Sequence, residues 1–146
     1  MSYTSLTYHI VLATRRRRRL ITADVRGRLR RYLAGMIKKL GGHPIAINGP
    51  EDHMHLVASF RPDVAVSACL RDLKANSTGW VHRTFPGLAD FRWQEGYAAF
   101  TVSQSVVGKV VAYVNAQQEH HRTRTFEEEL KNLLDRHGIE YDPRSV

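Results

Sequence analysis

The order of predicted strands and helices is the feature that most constrains the fold of this chain. Four segments are rich in β-branched and aromatic residues, as strands are; they cover residues 6–13, 43–48, 53–60 and 96–102. Thr22 can cap a helix that runs to Leu40, because apolar residues recur three and four positions apart along it. Ser67 can cap a second helix, which runs to about Phe85. The order is therefore strand, helix, strand, strand, helix, strand.

Two further helices are predicted after the last strand. One begins at Ser103 or Ser105 and reaches about His121, and the other runs from a capping box at Thr125 to Gly138. The complete order predicts an α+β fold of the ferredoxin-like or RRM-like kind. In this fold a mainly antiparallel sheet is backed by two helices, and here the C-terminal helices are added to it.

Positive charge is concentrated in the first third of the chain. Residues 1–50 hold 11 Lys/Arg against one acid, residues 51–146 hold 11 against 13, and the whole chain carries a net charge of +8. An unbroken run of five arginines follows the first predicted strand: Arg15, Arg16, Arg17, Arg18 and Arg19. Such asymmetry indicates a polyanionic partner, nucleic acid before membrane, and we expect the run to contact backbone phosphates. A solvated basic loop is the alternative.

Length and the remaining composition limit the kind of protein further. A chain of 146 residues can bury one core but not two comfortable ones, so we expect one domain over residues 1–146. Its single cysteine, Cys69, excludes an internal disulfide and fits a reducing cytoplasm. No apolar run approaches the ~20 residues of a membrane span, and residues 1–5 lack a signal-peptide pattern. We therefore expect a cytoplasmic protein with no membrane partner.

A His-x-His pair lies at the start of the third predicted strand. Side chains alternate between the two faces of a strand, so His53 and His55 point the same way and Met54 points into the core. Two adjacent imidazoles can hold one divalent metal ion. From these residues alone, two histidines on an exposed sheet face remain the other interpretation.

The helix predicted after the last strand carries a candidate nucleophile. Lys109, Tyr113 and Gln117 lie four residues apart and so share one helix face. A tyrosine hydroxyl can attack phosphorus once it is activated, and Lys109 can reach a phosphate; a packing tyrosine and a solvated lysine are the alternatives. Five valines add an apolar stripe larger than a peripheral helix needs: Val106, Val107, Val110, Val111 and Val114.

Together, the histidine pair and the tyrosine helix resemble a known family, the single-tyrosine HUH transposases of small insertion sequences (TnpA, insertion-sequence-200-like transposases). His-hydrophobic-His followed at this distance by Tyr-x-x-x-Gln is a specific joint pattern, and the similarity covers nearly the whole chain. Its segments are residues 8–11 with the arginines after them, 50–57, 74–77, 93–97, 113–117 and 119–129. The segments 74–77, 93–97 and 119–129 are similar to one branch of the family. The pure arginine run departs from many relatives, which have Lys-Tyr-Arg-Arg there.

The resemblance implies a metal-dependent DNA endonuclease and strand transferase. It implies that His53, His55 and Gln117 bind Mg²⁺ or Mn²⁺. It also implies that Tyr113 attacks a phosphodiester of single-stranded DNA, leaving a 5′-phosphotyrosine and a free 3′-hydroxyl. A second 3′-hydroxyl then reverses the reaction without ATP. Members of the family are homodimers that bind hairpins at element ends, and the tyrosine helix of one subunit can serve the histidine pair of the other. The valine stripe also favours a homodimer.

Several neighbouring residues receive more ordinary interpretations. Asp52 either orients a ligand imidazole or completes a turn. His9 is expected to be structural. His120 and His121 are expected to interact favourably with the helix dipole at the C-terminal end of their helix, rather than to bind a metal. Both histidines of the His-x-His pair are expected at exposed positions, where substitution costs little stability.

Two other functions stay open at this point. A non-catalytic domain that binds single-stranded nucleic acid explains the charge and the sheet, but not the joint histidine and tyrosine pattern. A domesticated relative that processes chromosomal repeat hairpins has the same chemistry as a mobile transposase. Only genomic context separates these last two.

Overall fold

A four-stranded sheet with helices on both faces forms the fold in the computed structural model, which describes residues 1–146. The strands are β1 (Thr7–Ala13), β2 (Gly42–Asn48), β3 (His53–Phe60) and β4 (Ala98–Val102). The helices are α1 (Ala23–Lys39), α2 (Val66–Thr84), α3 (Val107–Asn115), α4 (Gln117–His120) and α5 (Phe126–Arg136). The strand order is β2-β3-β1-β4, and every neighbouring pair is antiparallel. This confirms the predicted α+β fold.

The first face of the sheet carries the main hydrophobic core. Helix α1 buries the stripe that its sequence period predicts, and α2 packs beside it. The alternate residues of β3 that point to this side, Met54 and Leu56, are fully buried in the same cluster. Nineteen buried residues make up this core, so it is the part of the structure in which burial of apolar surface contributes most to stability.

The second face of the sheet is covered by the C-terminal helices. Val110, Val111 and Val114 of α3 pack against Ala46 and Val57 of the sheet. Phe126 and Leu133 of α5 form another small cluster with Val11 and Phe100. The valine stripe is therefore largely used within one chain, and only Val106 is substantially exposed. The argument for a homodimer from these valines loses most of its basis, and the homodimer itself stays a prediction.

The helix predicted from Ser103 or Ser105 to His121 is broken in two places. A 3-10 turn occupies Gln104–Val106, and the helix stops at Asn115 before resuming as α4. Asn48 explains the second break, since its amide donates to the carbonyls of Val114 and Asn115 at 3.1 and 3.3 Å. A side chain of the sheet thus occupies carbonyls that a continuous helix would use itself.

Two other predicted boundaries also differ from the structure. Helix α2 begins at Val66 with Ala65 before it, so Ser67 is not its cap. Strand β4 begins at Ala98 rather than at Gly96, and Lys74 donates to the carbonyls of Gln94 and Gly96 at 2.6 and 2.7 Å. No helix combines the length and the apolar character needed to cross a membrane.

The turn between β2 and β3 brings two backbone segments into close contact. A Cβ atom on Gly49 would lie 2.1 Å from the carbonyl oxygen of His53 and 2.9 Å from the Cα of Met54. Neither obstacle is a flexible side chain. The absence of a side chain at Gly49 therefore fixes how β3 starts, and with it the position of His53.

The Gly49→Ala variant is expected to be destabilised by about 1–3 kcal/mol or more, because backbone must move to admit the methyl group. Gly35→Ala is the matched control: this glycine lies in α1 with nothing near its Cβ position, so the variant should gain up to about 1 kcal/mol of stability. Urea unfolding followed by circular dichroism measures both. Equal stability of the two variants would contradict the close approach.

Candidate active site

The histidine pair lies on the second face of the sheet and is covered by the C-terminal helices. His53 and His55 share this face, as the strand period predicts, and Met54 lies in the opposite core. Both histidines are completely buried, so the expectation that they occupy exposed positions is wrong. The reason is tertiary: Phe126 of α5 packs on the ring of His53, with ring centroids 4.5 Å apart.

Three imidazoles converge on a single carboxylate. The Nε2 atoms of His53, His55 and His121 lie 2.9, 3.0 and 3.1 Å from Oε1 of Glu129. One donor atom from each of the four residues lies within 4.8 Å of the other three, which is a spacing suited to one metal ion. His121 therefore belongs to this group, contrary to the expectation that it only suits the helix end.

Each of the three imidazoles is held from behind through its Nδ1 atom. His53 Nδ1 lies 2.8 Å from the Asp52 carboxylate, and His121 Nδ1 lies 2.8 Å from the carbonyl oxygen of Arg124. His55 Nδ1 lies 2.7 Å from Nε2 of His9. Such partners fix the tautomer and the ring orientation of metal-binding histidines, because they leave the other nitrogen facing the site. Asp52 thus orients the ring of His53. His9 holds the ring of His55, which is a more specific role than the general structural one expected for it.

The electrostatics of the group favour an ionised carboxylate among imidazoles. Burial alone raises the pKa of Glu129, but hydrogen bonds with His121, His53 and His55 outweigh burial and hold that pKa far below its usual range. Burial and the neighbouring His55 lower the pKa of His9 to about 3, so His9 is neutral near pH 7. A neutral His9 can accept a hydrogen bond from the Nδ1–H of His55 while the opposite nitrogen of His55 stays available.

The hydroxyl of Tyr113 also reaches this carboxylate. It donates a hydrogen bond to Oε2 of Glu129, the oxygen that does not face the imidazoles. Gln117 donates from Nε2 to the same oxygen at 3.0 Å. Gln117 is fully buried, and its own Oε1 atom has no hydrogen-bond partner. The structure therefore brings together four of the residues singled out in the sequence: Tyr113, Gln117, His53 and His55.

Comparisons with known proteins show the family to which this chain belongs. A family model described as "Transposase IS200 like" matches residues 2–117, which include the histidine pair, Tyr113 and Gln117. The chain belongs to the IS200-like transposase family. The single-tyrosine resemblance seen in the sequence is thereby confirmed.

Individual relatives of this IS200-like transposase are distant in sequence. It is 24% identical to the ISDra2 transposase TnpA of Deinococcus radiodurans over 119 residues, which cover 78% of this chain and 85% of that protein. A crystal structure assigned as a transposase from Deinococcus radiodurans R1 has a TM-score of 0.66 and 23% identity, covering 80% of this chain and 95% of that one. A REP-associated tyrosine transposase bound to a REP hairpin gives a TM-score of 0.62 and 20% identity, with coverage of 83% and 74%. These structures share the fold.

The arginine run of the transposase forms a tight turn beside the site. Arg16 and Arg17 adopt left-handed backbone conformations, with φ of 59° and 55°. Arg18 pairs with Asp90 at 2.6 Å, and Arg17 stacks on Phe126 with its guanidinium carbon 4.4 Å from the ring centroid. The two arginines are thus partly engaged within the chain. The exposed members without a carboxylate partner are Arg15, Arg16 and Arg19.

A basic cleft connects this turn with the buried group of the transposase. Three acids (Glu51, Asp52 and Glu127) and His121 line it, together with five arginines from three segments: Arg17, Arg19, Arg26, Arg122 and Arg124. Lys109 lies elsewhere, in a separate cavity on the other side of Tyr113 that also contains His9. The nucleophile candidate therefore lies between an arginine-lined opening and a smaller one that carries Lys109.

Sequence reasoning missed two residues of the group, His121 and Glu129. The acids at the start of α5 fit a helix N-terminus, where negative charge is common, and Thr125 does cap this helix by accepting from the backbone of Glu128. A second signal was available. Phe126 and Leu133 define the apolar face of α5, and Glu129 lies between them at helical spacing, where a solvated acid does not belong.

Removal of one imidazole is expected to destabilise the transposase as well as alter its site. His53→Ala removes the His53 contact from the Asp52 carboxylate and one of the five partners of the buried Glu129 carboxylate, at a cost of about 1–3 kcal/mol. His43→Ala, which removes an exposed histidine from β2, should change stability by less than about 0.5 kcal/mol. Urea unfolding without added metal measures both, and equal midpoints would show that the buried contacts are not stabilising.

Proposed function

We propose that this transposase cleaves and rejoins single-stranded DNA, with Tyr113 as the nucleophile and a divalent metal ion in the histidine group. One observation carries the proposal: the hydroxyl of Tyr113 and the Nε2 atoms of His53 and His55 meet at the two oxygens of one buried carboxylate. A nucleophile and a metal group so close together can act on the same phosphate. The domain that carries this chemistry is proposed to extend over residues 1–146.

The residues present fit a divalent metal ion. His53 and His55 each offer a nitrogen whose ring is already oriented, and Gln117 offers a buried oxygen that has no other partner. Mg²⁺ or Mn²⁺ bound there supplies Lewis-acid polarisation of a phosphate oxygen. This is the ligand set that the family resemblance implies, and the orphaned oxygen of Gln117 supports it.

The chemistry of the chain's own groups then follows from their positions. The phenol oxygen of Tyr113 attacks phosphorus, its proton is released, and the bond from phosphorus to the 3′-oxygen breaks. The DNA is left joined through its 5′-phosphate to the tyrosine, with a free 3′-hydroxyl. Attack by a second 3′-hydroxyl on this linkage restores the tyrosine and joins new ends. Burial, and then the bond to Glu129, raise the pKa of Tyr113 above its usual value, so loss of its proton must be coupled to attack.

The DNA substrate is proposed to be single-stranded DNA with hairpin ends. The similarly folded REP-associated tyrosine transposase is bound to a REP hairpin, which supports this choice. We propose that the exposed arginines of the run, Arg15, Arg16 and Arg19, contact backbone phosphates. Arg17 and Arg18 are proposed to do the same while keeping their contacts with Phe126 and Asp90. Lys109 is proposed to contact DNA at the smaller opening. The histidines beside Tyr113 come from its own chain, with the rings of His55 and Tyr113 5.9 Å apart. A homodimer remains a prediction from the family resemblance.

Tyr113→Phe is expected to bind hairpin DNA nearly as well as the unmodified protein and to form no covalent adduct. The reason is that only the nucleophilic oxygen is lost, while the arginines remain. Incubation with a hairpin-bearing single-stranded oligonucleotide and Mn²⁺ or Mg²⁺, followed by denaturing electrophoresis, measures the adduct. Tyr97→Phe, at a half-exposed tyrosine before β4, is the control that should retain it.

Peptide mapping of the trapped adduct decides the assignment of the nucleophile. A nucleotide on any tyrosine other than Tyr113 would contradict the proposed mechanism. DNA binding by the unmodified protein without any adduct in either metal would favour a non-catalytic binding domain instead.

Neutralising Arg15, Arg16 and Arg19 together with glutamine should lower the salt dependence of DNA binding. Each phosphate contact that is lost reduces the slope of log affinity against log salt by about 0.7 for single strands, so a decrease of roughly 2 is expected. The control changes three arginines that already pair with neighbouring acids to glutamine: Arg61, Arg71 and Arg144. Fluorescence anisotropy at several salt concentrations measures the slopes. The same slope in both triple variants would show that the run is merely solvated.

A further inference from the structure

We propose that Glu129 and His121 are direct ligands of the metal, so that the segment after residue 117 completes the active site of its own chain. This rests on the proposed function and extends it to residues outside the part of the chain that the family model matches. The resulting donor set is three imidazole nitrogens and one carboxylate, to which Gln117 can add its amide oxygen.

His121 is positioned in the same way as the other two imidazoles. Its Nδ1 atom is tied to a backbone carbonyl, that of Arg124, and its Nε2 atom faces Oε1 of Glu129 at 3.1 Å. A histidine that only placed positive charge at a helix end would not need both ring nitrogens held in this way. Its ring also lies edge-on to that of His53, with centroids 4.6 Å apart. The pattern of one nitrogen held and one directed inward is that of a ligand.

The distances around Glu129 suit coordination. Adjacent ligand atoms that bind one ion at about 2.0–2.2 Å in octahedral geometry lie roughly 2.8–3.1 Å from each other. The three nitrogens lie 2.9–3.1 Å from Oε1, which is within this range. Little rearrangement of the chain is needed.

The two oxygens of Glu129 face different groups. Oε1 faces the imidazoles, whereas Oε2 accepts from Tyr113 and Gln117. A carboxylate that binds the metal through one oxygen and the nucleophile's hydroxyl through the other sets the distance between them. Glu129 therefore acts as a ligand and also positions Tyr113.

The packing of α5 explains why a carboxylate is fixed at this point. Phe126 and Leu133 anchor the helix on the sheet, and Glu129 lies between them with 1% of its surface exposed. Burial of a carboxylate is costly unless it is paired or binds a metal. An apolar residue would pack on this face more favourably, so the acid at position 129 indicates a ligand rather than a structural residue.

The donor set also distinguishes the two candidate metals. Mg²⁺ prefers oxygen ligands and keeps several waters, whereas imidazole nitrogens suit later divalent metals. Three imidazoles therefore predict tighter binding of Mn²⁺ than of Mg²⁺.

Mn²⁺ titration of the full-length protein, followed by electron paramagnetic resonance, tests the assignment without any activity measurement. Glu129→Gln keeps the size of the side chain but removes its charge and replaces one acceptor oxygen with a donor, and we expect it to weaken Mn²⁺ binding by about tenfold or more. His121→Gln should do the same. The controls are Glu128→Gln, an exposed acid of the same helix, and His43→Gln; both should bind as the unmodified protein does.

The unmodified protein supplies a test that does not depend on the folding of any variant. Nitrogen modulation of the bound Mn²⁺ signal should correspond to three coordinated imidazoles. Two imidazoles, or unchanged Mn²⁺ affinity in both Glu129→Gln and His121→Gln, would overturn the assignment while leaving adduct formation by Tyr113 intact. Faster adduct formation by Glu129→Gln would overturn it as well, because α5 would then be blocking the site. Absence of both Mn²⁺ binding and adduct in the unmodified protein would overturn the proposed function itself.

Discussion

The burial of the Glu129 carboxylate is the constraint on which the second face of the sheet depends. A carboxylate that is 1% exposed must have partners, and this one has five, from β3, α3, α4 and the segment around His121. Because these partners come from separate elements, the carboxylate fixes how α3, α4 and α5 lie over the sheet. The local apolar clusters are small on this face, so the polar group has a larger share in ordering it than polar groups have in the main core.

One face of the sheet carries the main hydrophobic core, and the other carries the histidine group. Alternation along β3 sends Met54 and Leu56 into a core of nineteen buried residues, and sends His53 and His55 to the opposite side. The strand that carries the histidines is therefore held rigidly by packing that does not involve them. Rings supported from behind by Asp52 and His9 on such a strand have little freedom to move, which is what a preorganised metal group needs.

Periodicity in the sequence was enough to predict the sheet, the two core helices and the shared face of His53 and His55, since each depends on spacing within one segment. Tyr113 and Gln117 could also be singled out, because they lie only four residues apart in the sequence, on either side of the break after Asn115. Contacts between distant segments could not be predicted in this way. The break after Asn115 is caused by Asn48, and the burial of the histidines is caused by Phe126. Glu129 and His121 join the group only once α5 folds back over β3, so no local spacing places them there.

The arginines and Lys109 lie at two different openings of the site. The cleft lined by arginines opens onto Asp52 and His121, so a DNA backbone held there lies beside the imidazole that the C-terminal segment contributes. Tyr113 lies on the far side of the same carboxylate, with Lys109 beyond it. In the proposed function, a phosphate held in this cleft would therefore lie nearer to the histidine group than to Tyr113. The arginines proposed to bind DNA and the tyrosine proposed to attack it are thus separate in space, and Glu129 lies between them because its two oxygens face different groups.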